Sequence, residues 1–292
     1  MSPLESNGAF SFPAPGSQTS GPTQSPAPGS LGLGSVPRPS EVLLLVERVS
    51  KHFGAIVALH EVTLWARSGE ITAIVGDNGA GKSTLIKCIS GLHAPSSGRL
   101  FFGGKEVHFS SPQDARQVGI ETVYQNLAVI EDLTVWQNIF LNRERVRRLG
   151  PLAVLDRRAM RREALQMLRQ FEVHIPSIHA RLRRLSGGQR QAIAIARAAS
   201  WGSRLLIMDE PTAALGVRET RRVEELILRL REKGLAVLLI SHNFEQVLRL
   251  SQQVWVMRSG RLVGGRRTKE TTSDELVAMI TGVKSEENRE TL

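Results

Sequence analysis

The chain has 292 residues, 41% of them hydrophobic and 23% charged, with one cysteine and a formal net charge of +10. These values exclude disorder over the whole length, an internal disulfide framework and a cysteine-rich zinc site. The positive balance points to an anionic partner (nucleotide, nucleic acid or lipid surface) without choosing among them, and no run of about 18 apolar residues offers a bilayer span.

Residues 1–40 carry 8 of the 13 prolines and are otherwise mostly Gly, Ser, Ala, Gln and Thr. Such a segment cannot bury enough apolar surface to offset the entropy of ordering, so a disordered tail is expected. It has no basic start followed by an apolar block, so it does not read as a secretory signal. The fold is expected to begin near Glu41. Val42–Val46, Val62–Trp65, Ile71–Val75 and Leu100–Phe102 are short apolar runs between turn residues and read as strands. From Val135 to Phe171 the pattern is helical and rich in arginine, with Leu165, Leu168 and Phe171 at three-residue spacing and Ala164 four before Leu168. Leu205–Met208 and Leu235–Ile240 are continuous apolar runs. Between them Val223, Leu226, Ile227 and Leu230 mark one face of a helix from Arg218 to Lys233. Strand, helix, strand with such runs predicts an α/β chain with a parallel sheet flanked by helices.

Gly76-Asp77-Asn78-Gly79-Ala80-Gly81-Lys82-Ser83-Thr84 matches G-x-x-x-x-G-K-[ST] between a predicted strand and a predicted helix, the context the motif requires. Glycines let successive N–H groups turn inward on an anion, and the helix start adds partial positive charge. Lys82 is placed to meet β- and γ-phosphates and Ser83 to offer a hydroxyl to Mg²⁺. Ser186-Gly187-Gly188-Gln189 stands ahead of a helix pattern from Arg190 to Ser200 and would cap it, which alone is a weak signal, since Ser-Gly-Gly before a helix is more often just a loop and cap. Asp209-Glu210 ends a buried strand, where ligands bind in parallel sheets. Asp209 suits Mg²⁺, and Glu210 suits orienting and deprotonating a water, though a solvated acidic turn reads equally well. Gln125 and His242 also follow apolar runs, and each alone is an unremarkable loop residue.

The order of these segments resembles the ATPase subunit of an ATP-binding cassette (ABC) transporter: phosphate loop, Gln125, Leu185-Ser186-Gly187-Gly188-Gln189, Leu206-Ile207-Met208-Asp209-Glu210-Pro211-Thr212, then Ser241-His242. The resemblance covers about residues 41–283. It implies a RecA-like P-loop NTPase core with a parallel sheet, an antiparallel β subdomain and an inserted helical subdomain at about 126–184, within an ATP-binding domain spanning 41–284, with residues 285–292 as a tail. It implies ATP and Mg²⁺ as cofactors, adenine stacking on Phe53, Gln125 touching metal and water, and His242 on the γ-phosphate. Ser186 to Gln189 would complete the site of a second copy, so that each ATP is held between two chains.

Pro211-Thr212-Ala213-Ala214-Leu215-Gly216-Val217-Arg218-Glu219, Val123-Tyr124-Gln125-Asn126-Leu127 and Asn138-Ile139-Phe140-Leu141-Asn142-Arg143-Glu144 are similar to ATPases of monosaccharide importers of the ribose, xylose and fructose group. That resemblance implies permease partners, an indirect sugar-binding protein, and a peripheral place on the cytoplasmic side of the inner membrane. This chain holds one cassette where most of that group hold two, and Gly216 stands where most cassettes have Asp. An importer ATPase for another substrate is the alternative. A nucleic-acid ATPase is the more distant one, because aromatics are only 5% and no basic stretch is interleaved with them.

Overall fold

Apolar runs bounded by turns become strands, and amphipathic runs become the helices that cover them. The computed structural model describes residues 32–149 and 152–282. Most of the expected N-terminal tail and all of the expected C-terminal one lie outside those residues. The chain forms β1 (Leu44–Phe53), β2 (Ile56–Ala66), β3 (Ile71–Val75), α1 (Lys82–Ile89), β4 (Ser97–Phe102), β5 (Lys105–Val107), α2 (Pro112–Gln117) and β6 (Ile120–Val123). Then come α3 (Val135–Ile139), β7 (Val146–Leu149), β8 (Leu152–Leu155), α4 (Arg157–Gln170) and α5 (Gly187–Ala199). The last part alternates: β9 (Leu205–Asp209), α6 (Val217–Glu232), β10 (Ala236–Ile240), α7 (Phe244–Leu250), β11 (Gln253–Arg258), β12 (Arg261–Arg267) and α8 (Ser273–Thr281).

Six strands form the central sheet in the order β12-β11-β3-β10-β9-β6, parallel except for the antiparallel edge strand β12. A second, antiparallel sheet has the order β2-β1-β4-β5. The central strands are buried on both faces, and their period of two divides them between cores. Leu205, Ile207, Ala236, Leu238 and Ile240 enter the core shared with the antiparallel sheet. Leu206, Met208, Val237 and Leu239 enter the core on the opposite face, with Val223, Leu226, Ile227 and Leu230 of α6. The chain also packs earlier than expected, since Leu33 and Val36 lie partly buried against the first core.

The middle departs from the all-helical expectation. A β-hairpin of β7 and β8 pairs Val146 with Leu155 and Arg148 with Ala153. The overlooked signals are the Gly150-Pro151 breaker and the β-branched residues Val146 and Val154 beside it. In α4 the buried stripe is Met160, Ala164 and Leu168, closed by Phe171, while Leu165 is 40% exposed. Four-residue spacing sets that face, and Leu165 is turned about 100° from Ala164. Asp156 starts the helix by accepting the Ala159 N–H at 3.0 Å. None of the helices among the described residues is long and apolar enough to cross a membrane.

Candidate functional site

β3, β10, β9 and β6 are successive parallel neighbours, so their C-terminal ends lie side by side over three strand spacings, about 14 Å. Each end leads into a motif segment: Gly76 after β3, Ser241-His242 after β10, Glu210 after β9, and Tyr124-Gln125 after β6. Two glycines of the first segment are sterically required. Gly76 has φ +152° and a Cβ there would stand 2.3 Å from the Met257 carbonyl oxygen; Gly81 has φ +100° with Ala58 O at 2.9 Å from such a Cβ. Lys82 Nζ donates to the carbonyls of Gly76 at 2.6 Å and Asp77 at 2.9 Å. Burial holds its ammonium below the usual lysine range, against the pull of Glu210, Asp209 and Asp77.

On the facing side, burial and then the Glu210 charge push the Asp209 carboxyl above its ordinary range, with Lys82 and Lys87 opposing. Glu210 has φ +50°, which costs an L residue about 1–2 kcal/mol. Its N–H donates to the Ile240 carbonyl at 3.0 Å, so the strained residue is tied to β10. Its Oε2 lies 2.8 Å from Nδ1 of His242, whose ring is 72% exposed while the carboxylate is 16% exposed. A base largely shielded from water, joined to an open histidine, can orient a water and move its proton. Gly76 through Thr84, Gln125, Asp209, Glu210 and His242 all line one cleft of about 1070 Å³. Ser83, Gln125 and Asp209 bring hydroxyl, amide and carboxylate oxygens into it, a donor set that fits Mg²⁺. Among the described residues no group of three or more His, Cys, Asp or Glu is arranged to hold a metal ion by itself; one or two carboxylates with substrate phosphates is the usual Mg²⁺ arrangement.

Ser186, Gly188 and Gln189 are not part of that cleft. They line another cavity of about 540 Å³ with Glu219 and Arg222. Ser186 Oγ accepts the Gln189 N–H at 3.3 Å, and Gln189 Oε1 accepts the Ser186 N–H at 3.1 Å, a reciprocal cap on α5. Phe53 also stands apart, 43% exposed, its ring edge-on to His93 at 5.4 Å; Ile56, Val57 and Ala58 line the cleft instead. Glu219 closes one of the motifs that carry the sugar-importer resemblance, but the sequence assigned it no role in the site. Its carboxylate accepts the Gly216 N–H at 3.4 Å, capping α6 where Gly216 has no side chain to do so. The Ser186 hydroxyl, with the Gly188 N–H, holds its carboxyl below the usual range. The signal was present as a carboxylate at the third helical position. Ser259-Gly260, a turn whose Gly260 N–H donates to Ala80 O at 3.0 Å, was also overlooked as cleft lining.

A Gly-Lys-Ser loop at one parallel strand end, facing an acidic pair two strands away, defines a phosphate-loop nucleotide-binding ATPase. Residues 59–213 match the model of the ABC transporter family. The chain is 45% identical over 239 residues to the xylose/arabinose import ATP-binding protein of Sulfolobus acidocaldarius, covering 82% of this chain and 94% of that one. It is 45% identical over 249 residues to the fructose import ATP-binding protein of Rhizobium meliloti, covering 84% and 95%. A ribose import ATP-binding protein of Streptomyces coelicolor matches at 42% over 84% of this chain but 46% of its own length. Among solved structures, the ADP conformation of MJ1267, an ATP-binding cassette of an ABC transporter, superposes with a TM-score of 0.71 at 26% identity, covering 82% and 98%. A dimeric post-hydrolysis cassette, MJ0796 with ADP and Pi, gives 0.65 at 25%, covering 78% and 100%. The chain belongs to the ABC transporter family as an ATP-binding, ATP-hydrolysing cassette.

Proposed function

We propose that this cassette drives uptake of a monosaccharide (fructose, xylose or ribose) through a membrane permease on whose cytoplasmic side it sits, with a sugar-binding protein feeding that permease. The relatives named above, ATP-binding proteins of xylose/arabinose, fructose and ribose import, support the sugar. Two copies close on two ATP molecules. The carrying observation is the separation described above: the Ser186 cap lines a cavity other than the cleft that holds Lys82 and Glu210, so it is free to complete a partner's site.

In this reading Lys82 and the inward N–H groups from Gly76 to Thr84 bind the triphosphate, and the adenine extends past Ile56 to Ala58, out of the cleft, to stack on the exposed ring of Phe53. Ser83, Gln125 and Asp209 would hold Mg²⁺, which neutralises phosphate charge when bound. Glu210 takes the proton of the attacking water, and His242 orients that carboxylate and faces the γ-phosphate. Closure of the partner's Ser186–Gln189 segment excludes bulk water, so catalysis rests on positioning and charge stabilisation.

Glu210→Gln keeps the shape and removes the base. Turnover is expected to fall by about 10²–10⁴, with an ATP-trapped dimer on gel filtration. Unchanged turnover with the permease present would refute the assigned base. Reconstitution with permease and binding protein, screened for sugar-stimulated ATPase, tests the substrate; stimulation only by a non-sugar would refute it.

A further inference from the structure

The hairpin between α3 and α4 serves neither the cleft nor the α5 cap. Val146 is 63% exposed, Leu152 69%, Val154 41% and Leu155 47%. Cross-strand partners share a face of a ribbon and alternate residues change face. Val146 and Leu155 are partners and lie on one face with Arg148, whereas Val154, partnered by Arg147, lies on the other with Leu152. Both faces therefore present apolar side chains next to a guanidinium. No acidic residue occurs from Arg145 to Leu155. Arg143 and Arg145 have carboxylate partners in Glu121 and Glu163. Arg147, Arg148, Arg157 and Arg158 form no ion pair among the described residues, and all four are exposed.

Uncompensated cations around exposed aliphatic groups match a surface that is anionic outside and apolar just beneath, which is the headgroup boundary of a bilayer. Nucleic acid would call for an aromatic ring to stack on bases, and residues 145–155 contain none.

We propose that the paired strands β7 and β8 and the first turn of α4 dock on anionic lipid headgroups. Val146, Leu152, Val154 and Leu155 enter the interface, and Arg147, Arg148, Arg157 and Arg158 pair with lipid phosphates. This contact depends on neither ATP nor permease. The test is co-sedimentation of the full chain with vesicles of phosphatidylcholine alone or mixed with phosphatidylglycerol. Binding is expected only to the mixed vesicles and is expected to weaken as salt rises. Each arginine replaced by glutamine should weaken partitioning about fivefold. Val146→Ser with Leu152→Ser should also weaken it, with ATP affinity and melting temperature unchanged because these side chains are exposed. Lys82→Ala must bind vesicles as the unaltered chain does, which separates this inference from the ATP site. Equal binding to both vesicle types, binding undiminished in the variants, or no vesicle binding with permease assembly lost in the variants would each overturn it.

Discussion

Lys82→Ala isolates the electrostatic part of nucleotide binding. An ammonium has three N–H donors, and Nζ commits two of them to the Gly76 and Asp77 carbonyls at 2.6 and 2.9 Å. One donor and the full charge remain for a phosphate. At about 4 Å and an effective dielectric of about 20 that attraction is about 4 kcal/mol. Asp209 and Glu210 already draw on the same charge, and halving the attraction for their share leaves about 2 kcal/mol as the lower bound. At about 1.4 kcal/mol per tenfold, ATP affinity should fall about 30- to 700-fold. Isothermal titration of the purified chain with MgATP measures it, with circular dichroism confirming the fold. Lys82→Arg should recover only part of the loss, because a planar guanidinium keeps the charge but not the ammonium's point geometry. An affinity within about threefold of the original, under about 0.7 kcal/mol, would refute the role of the charge.

Gly76→Ala places a methyl 2.3 Å from the Met257 carbonyl of β11 in a left-handed backbone; a loss of about 2–4 kcal/mol is expected, read as a lower urea midpoint, and an unchanged midpoint would contradict the close approach. Ser186→Ala should cost about 1 kcal/mol through the lost cap, yet leave ATP affinity of the separated chain intact while lowering dimer-dependent hydrolysis; weakened affinity in dilute protein would oppose the two-chain arrangement. Burial pushes the Cys88 thiol up to about 11 from 9.0. The folded value lies above the unfolded one, so this stabilisation is complete below pH 9.0 and is lost as pH rises towards 11. Cys88→Ala should therefore flatten the alkaline fall in stability, and an identical fall in both proteins would exclude the thiol as its cause.

Local chemistry made some features readable in advance. Gly76 and Gly81 are legible because only glycine tolerates their φ values beside Met257 and Ala58, so the residue type itself reports the backbone. The strands bearing Asp209 and His242 are legible because burial on both faces removes polar alternation. The hairpin was hidden by Arg147 and Arg148, which break the strand period with charge as a solvated helix would. Leu165 misled because its exposed position carries the same apolar signal as Leu168. The Glu210–His242 contact has no counterpart in either local stretch; it exists because β9 and β10 are adjacent, with Asp209 in register with Ile240. The contact of Glu219 with the α5 cap was unreadable for the related reason that Ser186 and Gly188 come from a distant segment.

The division of β9 and β10 between two cores has a consequence for accuracy at their tips. A slide of either strand by one residue would thrust Leu206 and Met208 into the volume shaped for Leu205 and Ile207, and the reverse, so neither strand has a half-step available. The carboxylates at those tips thus inherit their coordinates from hydrocarbon interdigitation on both sides of the sheet. Side chains far below the nucleotide, with no polar atom to offer it, act as the gauge blocks that set where its acid and its histidine stand.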